Sequence, residues 1–373
     1  MKKQKSLKFI PLAIPDLRGN PKQKVLKTIK NNWISTAGKE VDDFERLIAK
    51  EVGSKYALAT ITGSAALHLA LKIFGIGKGD RVLIPDLTFA ATINSVIIAG
   101  AEPIIVDIDI NTWTLDLECT EKAILRYKPD AIIVVHTLGH PAHMEELKEI
   151  TSKNKIILIE DAAGALGANY KGKNVGTLSD AGIFSFNGNK VISTGSGGAL
   201  VLNKKKLFNK GKILYTQARV KQLYNYSDVG YNYRMSNLNA ALGMSQLPFL
   251  NEFITKKIKI AKKYDKAFQG IKSFSIMPRQ AWCTSSCWLY SLQFKTQRKA
   301  VSFSNYLLKN MIGARMFWNA LSLQKPYKKY KKVLNGTASH LSNKIVSIPC
   351  STSLKSFEQN RVINVVREWC KDE

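Results

Sequence analysis

The sequence predicts an α/β protein built on a mostly parallel sheet, and three observations carry that reading. Short runs rich in β-branched residues alternate with helical patterns, several of these runs are apolar without interruption, and polar loops with glycine, aspartate, serine and lysine follow their ends. Continuous apolar strands such as Ala131-Ile-Ile-Val-Val and Ile156-Ile-Leu-Ile suit a sheet covered by helices on both faces, where neither side of a strand meets water.

Taken in order, seven strands are expected, at residues 56–60, 81–85, 103–107, 131–136, 155–160, 182–186 and 198–203. From about residue 236 a long helical stretch runs to 264, and the lysine-rich remainder loses the strand-and-helix alternation. A boundary near Asn251 divides the chain into a large α/β domain, residues 1–250, and a smaller α+β domain, residues 251–373. The length of 373 residues suits such a pair.

Composition excludes several classes. Hydrophobic residues at 45% and charged residues at 23% rule out a disordered or low-complexity chain. The longest uncharged apolar stretch, residues 94–101, is far short of the roughly 20 residues of a membrane span. The basic start, residues 1–8, is interrupted by Pro11, Asp16 and Arg18 before a signal core develops, so a cytoplasmic protein is expected. Five scattered cysteines suit free thiols, and Cys283 and Cys287 lack a second ligand pair, so no metal is expected. The net charge of +28, from 56 basic and 28 acidic residues, favours anionic partners. Without a helix-turn-helix, finger or RNA-binding signature, it reads as solvated lysine-rich helix faces, and no nucleic-acid partner is expected.

Ligands of open parallel sheets gather at the C-terminal ends of the strands, and four such places carry chemistry. Gly63 and Ser64 join the first strand to a helix, with Gly63 allowing a tight turn and Ser64 capping the helix toward an anion. Asp161 ends a strand among small residues, where a buried acid needs a cation. Lys190 precedes the glycine-rich turn Thr194-Gly-Ser-Gly-Gly198, and a lysine in a dry site is a nucleophile and proton carrier. Gly230-Tyr-Asn232-Tyr-Arg234 mixes groups able to grip a phosphate. Each alone has an ordinary reading: a serine cap, an N-cap aspartate, one lysine of many, a structural ion pair. Together they are the parts pyridoxal phosphate needs: a lysine for the Schiff base, an aspartate for the ring nitrogen, a helix start for the phosphate, and Phe89 to stack on the ring or else pack in the core.

The order and spacing resemble the DegT/StrS family of pyridoxal-phosphate-dependent nucleotide-sugar aminotransferases, fold type I, over residues 10–366. The resemblance rests on Gly38-Lys-Glu-Val-Asp-Asp-Phe-Glu45, Thr62-Gly-Ser-Ala-Ala-Leu-His-Leu-Ala70, Gly79-Asp-Arg-Val-Leu-Ile-Pro85, Glu160-Asp-Ala-Ala163, the run from Ser185 to Lys190, Thr194-Gly-Ser-Gly-Gly198 and Gly230-Tyr-Asn-Tyr-Arg234. It implies a homodimer with a shared active site, in which Lys190 binds the cofactor and shuttles the proton. It further implies that Asp161 pairs with the pyridinium, Phe89 stacks on the ring, Gly63, Ser64 and Ser185 hold the phosphate, and Asn232 reaches it from the other subunit. Arg234 and Arg315, the latter in Gly313-Ala-Arg315, are the implied substrate contacts.

The implied reaction moves an amino group, from glutamate, to a 4-keto-6-deoxy nucleotide sugar for bacterial surface amino sugars of legionaminic acid, bacillosamine or perosamine type. Two departures stand out: Gly164 where the family often has His or Gln, and Asn187 where many members have His. Ser322 stands where a histidine often follows the arginine motif. Two rivals remain: a regulatory or nucleic-acid-binding protein on the same fold, and a pyridoxamine-dependent sugar dehydratase, whose relatives replace the lysine with histidine. His68 reads as helix packing, and His140 and His143 as loop residues.

Overall fold

Alternating apolar runs become strands at β1 (Tyr56–Thr60), β2 (Arg81–Pro85), β3 (Glu102–Val106), β4 (Ala131–Val135), β5 (Ile157–Asp161), β6 (Ala181–Ser185) and β7 (Gly198–Leu202) in the computed structural model, which describes residues 8–220 and 224–371. Most of the basic start, residues 1–7, lies outside the described residues. The strands lie in the order β1-β7-β6-β5-β4-β2-β3, with β7 antiparallel to both its neighbours and every other pair parallel.

The expected seven strands become eight. Lys332–Val333 adds to the free edge of β3, parallel to it. Ile105 N–H donates to Lys331 O and Asp107 N–H to Val333 O, both at 3.0 Å. Two residues are too short a run to show a strand period in sequence.

Successive side chains of a strand point to opposite faces, and the core divides accordingly. Leu83, Ile132, Val134 and Leu158 join the cluster on one face; Val82, Ile84, Ile133 and Ile159 join that on the other. All five residues of β4 are buried, which is why this run shows no polar alternation.

The expected continuous helix after residue 236 is broken. It forms as Asn237–Gln246, a 3₁₀ turn Leu247–Phe249 and a second helix Leu250–Phe268. Pro248 lies in that turn, and its missing N–H interrupts the helical ladder. Beyond it, β8 (Phe274–Ile276), β9 (Tyr290–Phe294), β10 (Arg315–Met316) and β11 (Ile345–Ile348) form an antiparallel sheet in the order β8-β9-β11-β10. Its core includes Phe294, Phe303 and Trp369, whose rings meet at 4.8–5.7 Å between centroids. Ile10, near the other end of the chain, belongs to this core and exchanges backbone hydrogen bonds with Met311 and Gly313. Among the described residues no helix is long and apolar enough to cross a membrane.

Candidate active site

A cavity of about 350 Å³ opens where the C-terminal ends of β1, β4, β5 and β6 meet residues 288–289 and 315–318 of the second sheet. Of the residues singled out in sequence, Gly63, Ser64, Phe89, Asp161, Ser185, Lys190 and Arg315 line it. Asn232 and Arg234 do not. Asn232 is exposed, and Arg234 is tied to Asp42 at 2.7 Å.

At one end stands the helix Gly63–Phe74. Its cap is Thr62, whose Oγ1 accepts from Ala65 N–H at 3.0 Å, so the expected capping role of Ser64 is corrected. Ser64 is the second helical residue, and its hydroxyl, like that of Ser185, has no hydrogen-bond partner among the described residues, leaving both available to an anion. The expected tight turn at Gly63 is also replaced by another reason for glycine. Gly63 is helical, and a Cβ there would lie 3.1 Å from Ser185 Cβ, while one on Gly198 would lie 2.6 Å from Gly63 N. Strand β7 and the helix start are in near-contact, and only bare backbone fits between them.

At the other end Asp161 terminates β5, 5% exposed. Its Oδ2 accepts from Thr92 Oγ1 at 2.9 Å and its Oδ1 from Ala163 N–H at 3.2 Å, a local turn contact in place of a helix cap. Burial raises its pKa against these hydrogen bonds and the charge of Lys190. Opposite it, burial lowers the Lys190 amine to about 7, with Asp161 pulling the other way. Half of this amine is then free base near neutral pH, which suits a group that takes and returns protons. Phe89 is 57% exposed and 5.7 Å from the Trp318 ring, so it borders the cavity and the core-packing alternative fails.

Several functional groups escaped the sequence. His136 directly follows β4 and lines the cavity. Its Nδ1 accepts from Ala142 N–H at 3.1 Å, which puts the ring proton on Nε2, directed at Glu160 Oε2 at 3.0 Å. Glu160 is fully buried and also accepts from Gly176 N–H, Leu178 N–H and Ser179 Oγ at 2.6–2.9 Å. The signal was a histidine closing one strand beside a Glu-Asp pair closing the next. Trp288 and Trp318 had no local signal, because folding alone brings them from the second sheet.

The other histidines stay out of the cavity. Nδ1 of His68 meets Tyr233 Oη at 3.0 Å, and burial lowers its pKa to about 4. His140 is fully buried, with Nδ1 donating to Pro141 O and Nε2 accepting from Gln280 N–H. Ser322 gives both its N–H and hydroxyl to Asp86 at 2.7 Å.

The donor set fits pyridoxal phosphate group for group. An amine near neutrality suits an aldehyde, a buried carboxylate with open lone pairs suits a pyridinium, and a helix start with two hydroxyls unpartnered among the described residues suits a phosphate. A profile of the DegT/DnrJ/EryC1/StrS aminotransferase family matches residues 15–367. The chain belongs to this family. It is an aminotransferase of fold type I whose cofactor is pyridoxal phosphate.

This aminotransferase is 34% identical over 368 residues to a GDP-perosamine synthase of Escherichia coli O157:H7, covering 98% of the chain and all of that protein. It is 37% identical over 337 residues to a UDP-4-amino-4,6-dideoxy-N-acetyl-beta-L-altrosamine transaminase of Campylobacter jejuni, covering 87% and 88% of the two. Among solved structures, Helicobacter pylori PseC, an aminotransferase of pseudoaminic acid biosynthesis, superposes with a TM-score of 0.92 at 25% identity, covering 98% of the chain and 100% of its own.

Proposed function

We propose that the enzyme transfers an amino group from an amino acid, with glutamate as donor, to a 4-keto-6-deoxy nucleotide sugar, in the making of bacterial surface amino sugars of legionaminic acid, bacillosamine or perosamine type. The observation that carries this is Lys190, an amine near neutrality facing the buried Asp161 across a cavity that the helix start closes at the far side. Relatives named for a GDP-linked and a UDP-linked 4-amino sugar support the substrate class.

When bound, the cofactor supplies an electron-withdrawing ring that stabilises negative charge on the carbon bearing the transferred nitrogen. Lys190 would hold it covalently, and when a donor amine displaces it, the released Nζ would take the proton from the donor carbon and return it at the carbon on the other side of the transferred nitrogen. Asp161 keeps the ring nitrogen protonated. Ser64, Ser185 and the backbone around Gly63 hold the phosphate, and Phe89 covers one face of the ring. The apolar wall excludes water, which preserves the lowered pKa of Lys190.

Arg315 lines the cavity with a guanidinium that has no ion-pair partner among the described residues, and it takes the sugar diphosphate in this reading, with Arg234 steadying the neighbouring loop. The enzyme works as a homodimer. The exposure of Phe89 and Ile61 (57% and 40%) beside the cavity supports this, with Asn232 of each subunit reaching the other's phosphate. Residues 1–250 hold the cofactor, and 251–373 close over it.

The test is incubation with glutamate and a panel of UDP- and GDP-linked keto sugars, read as amino-sugar formation by mass. Formation of a 4-amino sugar, abolished by Lys190→Ala, is expected. No amination of any keto sugar by a protein that carries its cofactor refutes the substrate class.

A further inference from the structure

Trp288 precedes β9, and its indole face sits over Lys190, with Nζ 3.4 Å from the ring centroid. That is well inside the range where a cation is drawn to an aromatic face. Two hydrogen bonds hold the residue there. Its indole N–H donates to Asn189 O at 2.9 Å, beside the very lysine it covers. Its own carbonyl accepts from Lys257 Nζ at 3.0 Å, and the same ammonium reaches Cys350 O at 2.9 Å. Lys257 is 4% exposed, so these carbonyls take up its charge in the core. Just before the tryptophan, Cys287 has φ 49°, a left-handed conformation that costs a non-glycine residue and turns the chain toward the cavity.

A space completes the seat. A Cβ on Gly164 would lie 2.5 Å from Trp288 Cε3 and 3.2 Å from two further ring atoms. The indole therefore fills the room that a side chain at 164 would occupy, and the two positions exclude each other's alternatives.

We propose that Trp288 is a positioning residue for Lys190: its indole seats the lysine ammonium whenever that amine is not joined to the cofactor, and glycine at 164 makes the seat possible. The inference rests on reading Lys190 as the cofactor-bearing amine. Between the two half-reactions the released amine must stay within reach of the reacting carbon, and the indole face holds it there. Asp161 from β5 is the charged group facing Lys190; His136 faces Asp161, and Arg315 from β10 lines the same cavity.

The test uses the full-length apoprotein, so that it can succeed or fail independently of turnover. The labelling of Lys190 by acetic anhydride is followed against pH by peptide mass. Removing the π face removes an attraction of about 1 kcal/mol for the charged form, equivalent to about 0.7 pH unit. Trp288→Leu, still apolar, is expected to lower the half-labelling pH by about that amount, whereas Trp288→Phe restores most of it. Gly164→Ala, which displaces the ring, is expected to shift the midpoint as Trp288→Leu does, and to add nothing in the Trp288→Leu background. Equal midpoints for the Leu and Phe variants, or full additivity of the two substitutions, would overturn the proposal.

Discussion

Replacing Glu160 by glutamine changes one atom and tests the network behind the cavity. The carboxylate accepts four donors: His136 Nε2 and Gly176 N–H at Oε2, Leu178 N–H and Ser179 Oγ at Oε1. With the amide nitrogen placed at Oε2, both the histidine and the glycine N–H face a donor. With it placed at Oε1, Ser179 can turn, since its hydroxyl also reaches Ala181 O at 2.9 Å, and only the Leu178 N–H is orphaned. The cheaper arrangement therefore costs one unsatisfied buried donor, about 1–3 kcal/mol, plus the charge assistance lost from the two remaining hydrogen bonds, about 1 kcal/mol each. A loss of roughly 3–5 kcal/mol in urea unfolding is expected for Glu160→Gln. Cofactor retention by equilibrium dialysis should weaken as well, because the acceptor that fixes the His136 ring loses its charge. A loss below about 1 kcal/mol would refute the four-donor account.

Glu45 supplies a pH signature. It is buried, accepts from Ala59 N–H and Tyr215 Oη, and burial raises its pKa from 4.5 to about 7. The folded state therefore binds its proton more tightly than the unfolded chain, and the stability this contributes is complete below pH 4.5 and lost as pH rises through 7. That is about 3 kcal/mol, and Glu45→Gln should flatten the stability-against-pH curve over this window; an unchanged curve contradicts it. Gly198→Ala would drive a Cβ to 2.6 Å from Gly63 N, displacing the helix start. Cofactor retention should fall by about tenfold or more, while Gly188→Ala, with nothing within 4 Å, leaves retention unchanged. With a net charge of +28, kcat/KM for the sugar diphosphate should fall as ionic strength rises while kcat holds; a flat response removes electrostatic steering.

The strands were legible because each is a short run buried on both faces, and that demands uninterrupted apolar residues at positions such as 131–135. That Lys190, Asp161 and Ser64 line one cavity was legible because ligands of a parallel sheet gather at its strand ends. Other features were not. Ser64 yielded the cap to Thr62, since a one-residue shift in helix start leaves composition untouched. The eighth strand is two residues recruited to an edge, with no period of its own to read.

The sequence alone determined the sheet and the cofactor, and it singled out the lysine proposed to bear it, since local patterning and residue type are written along the chain. Only the tertiary structure decided that Trp288 covers Lys190 in the room left at Gly164, and that His136 is clamped by Glu160. Such contacts join residues 24 to 124 positions apart, and their geometry depends on strand pairing within one sheet for His136 and Glu160 and on how the second sheet meets the first for Trp288.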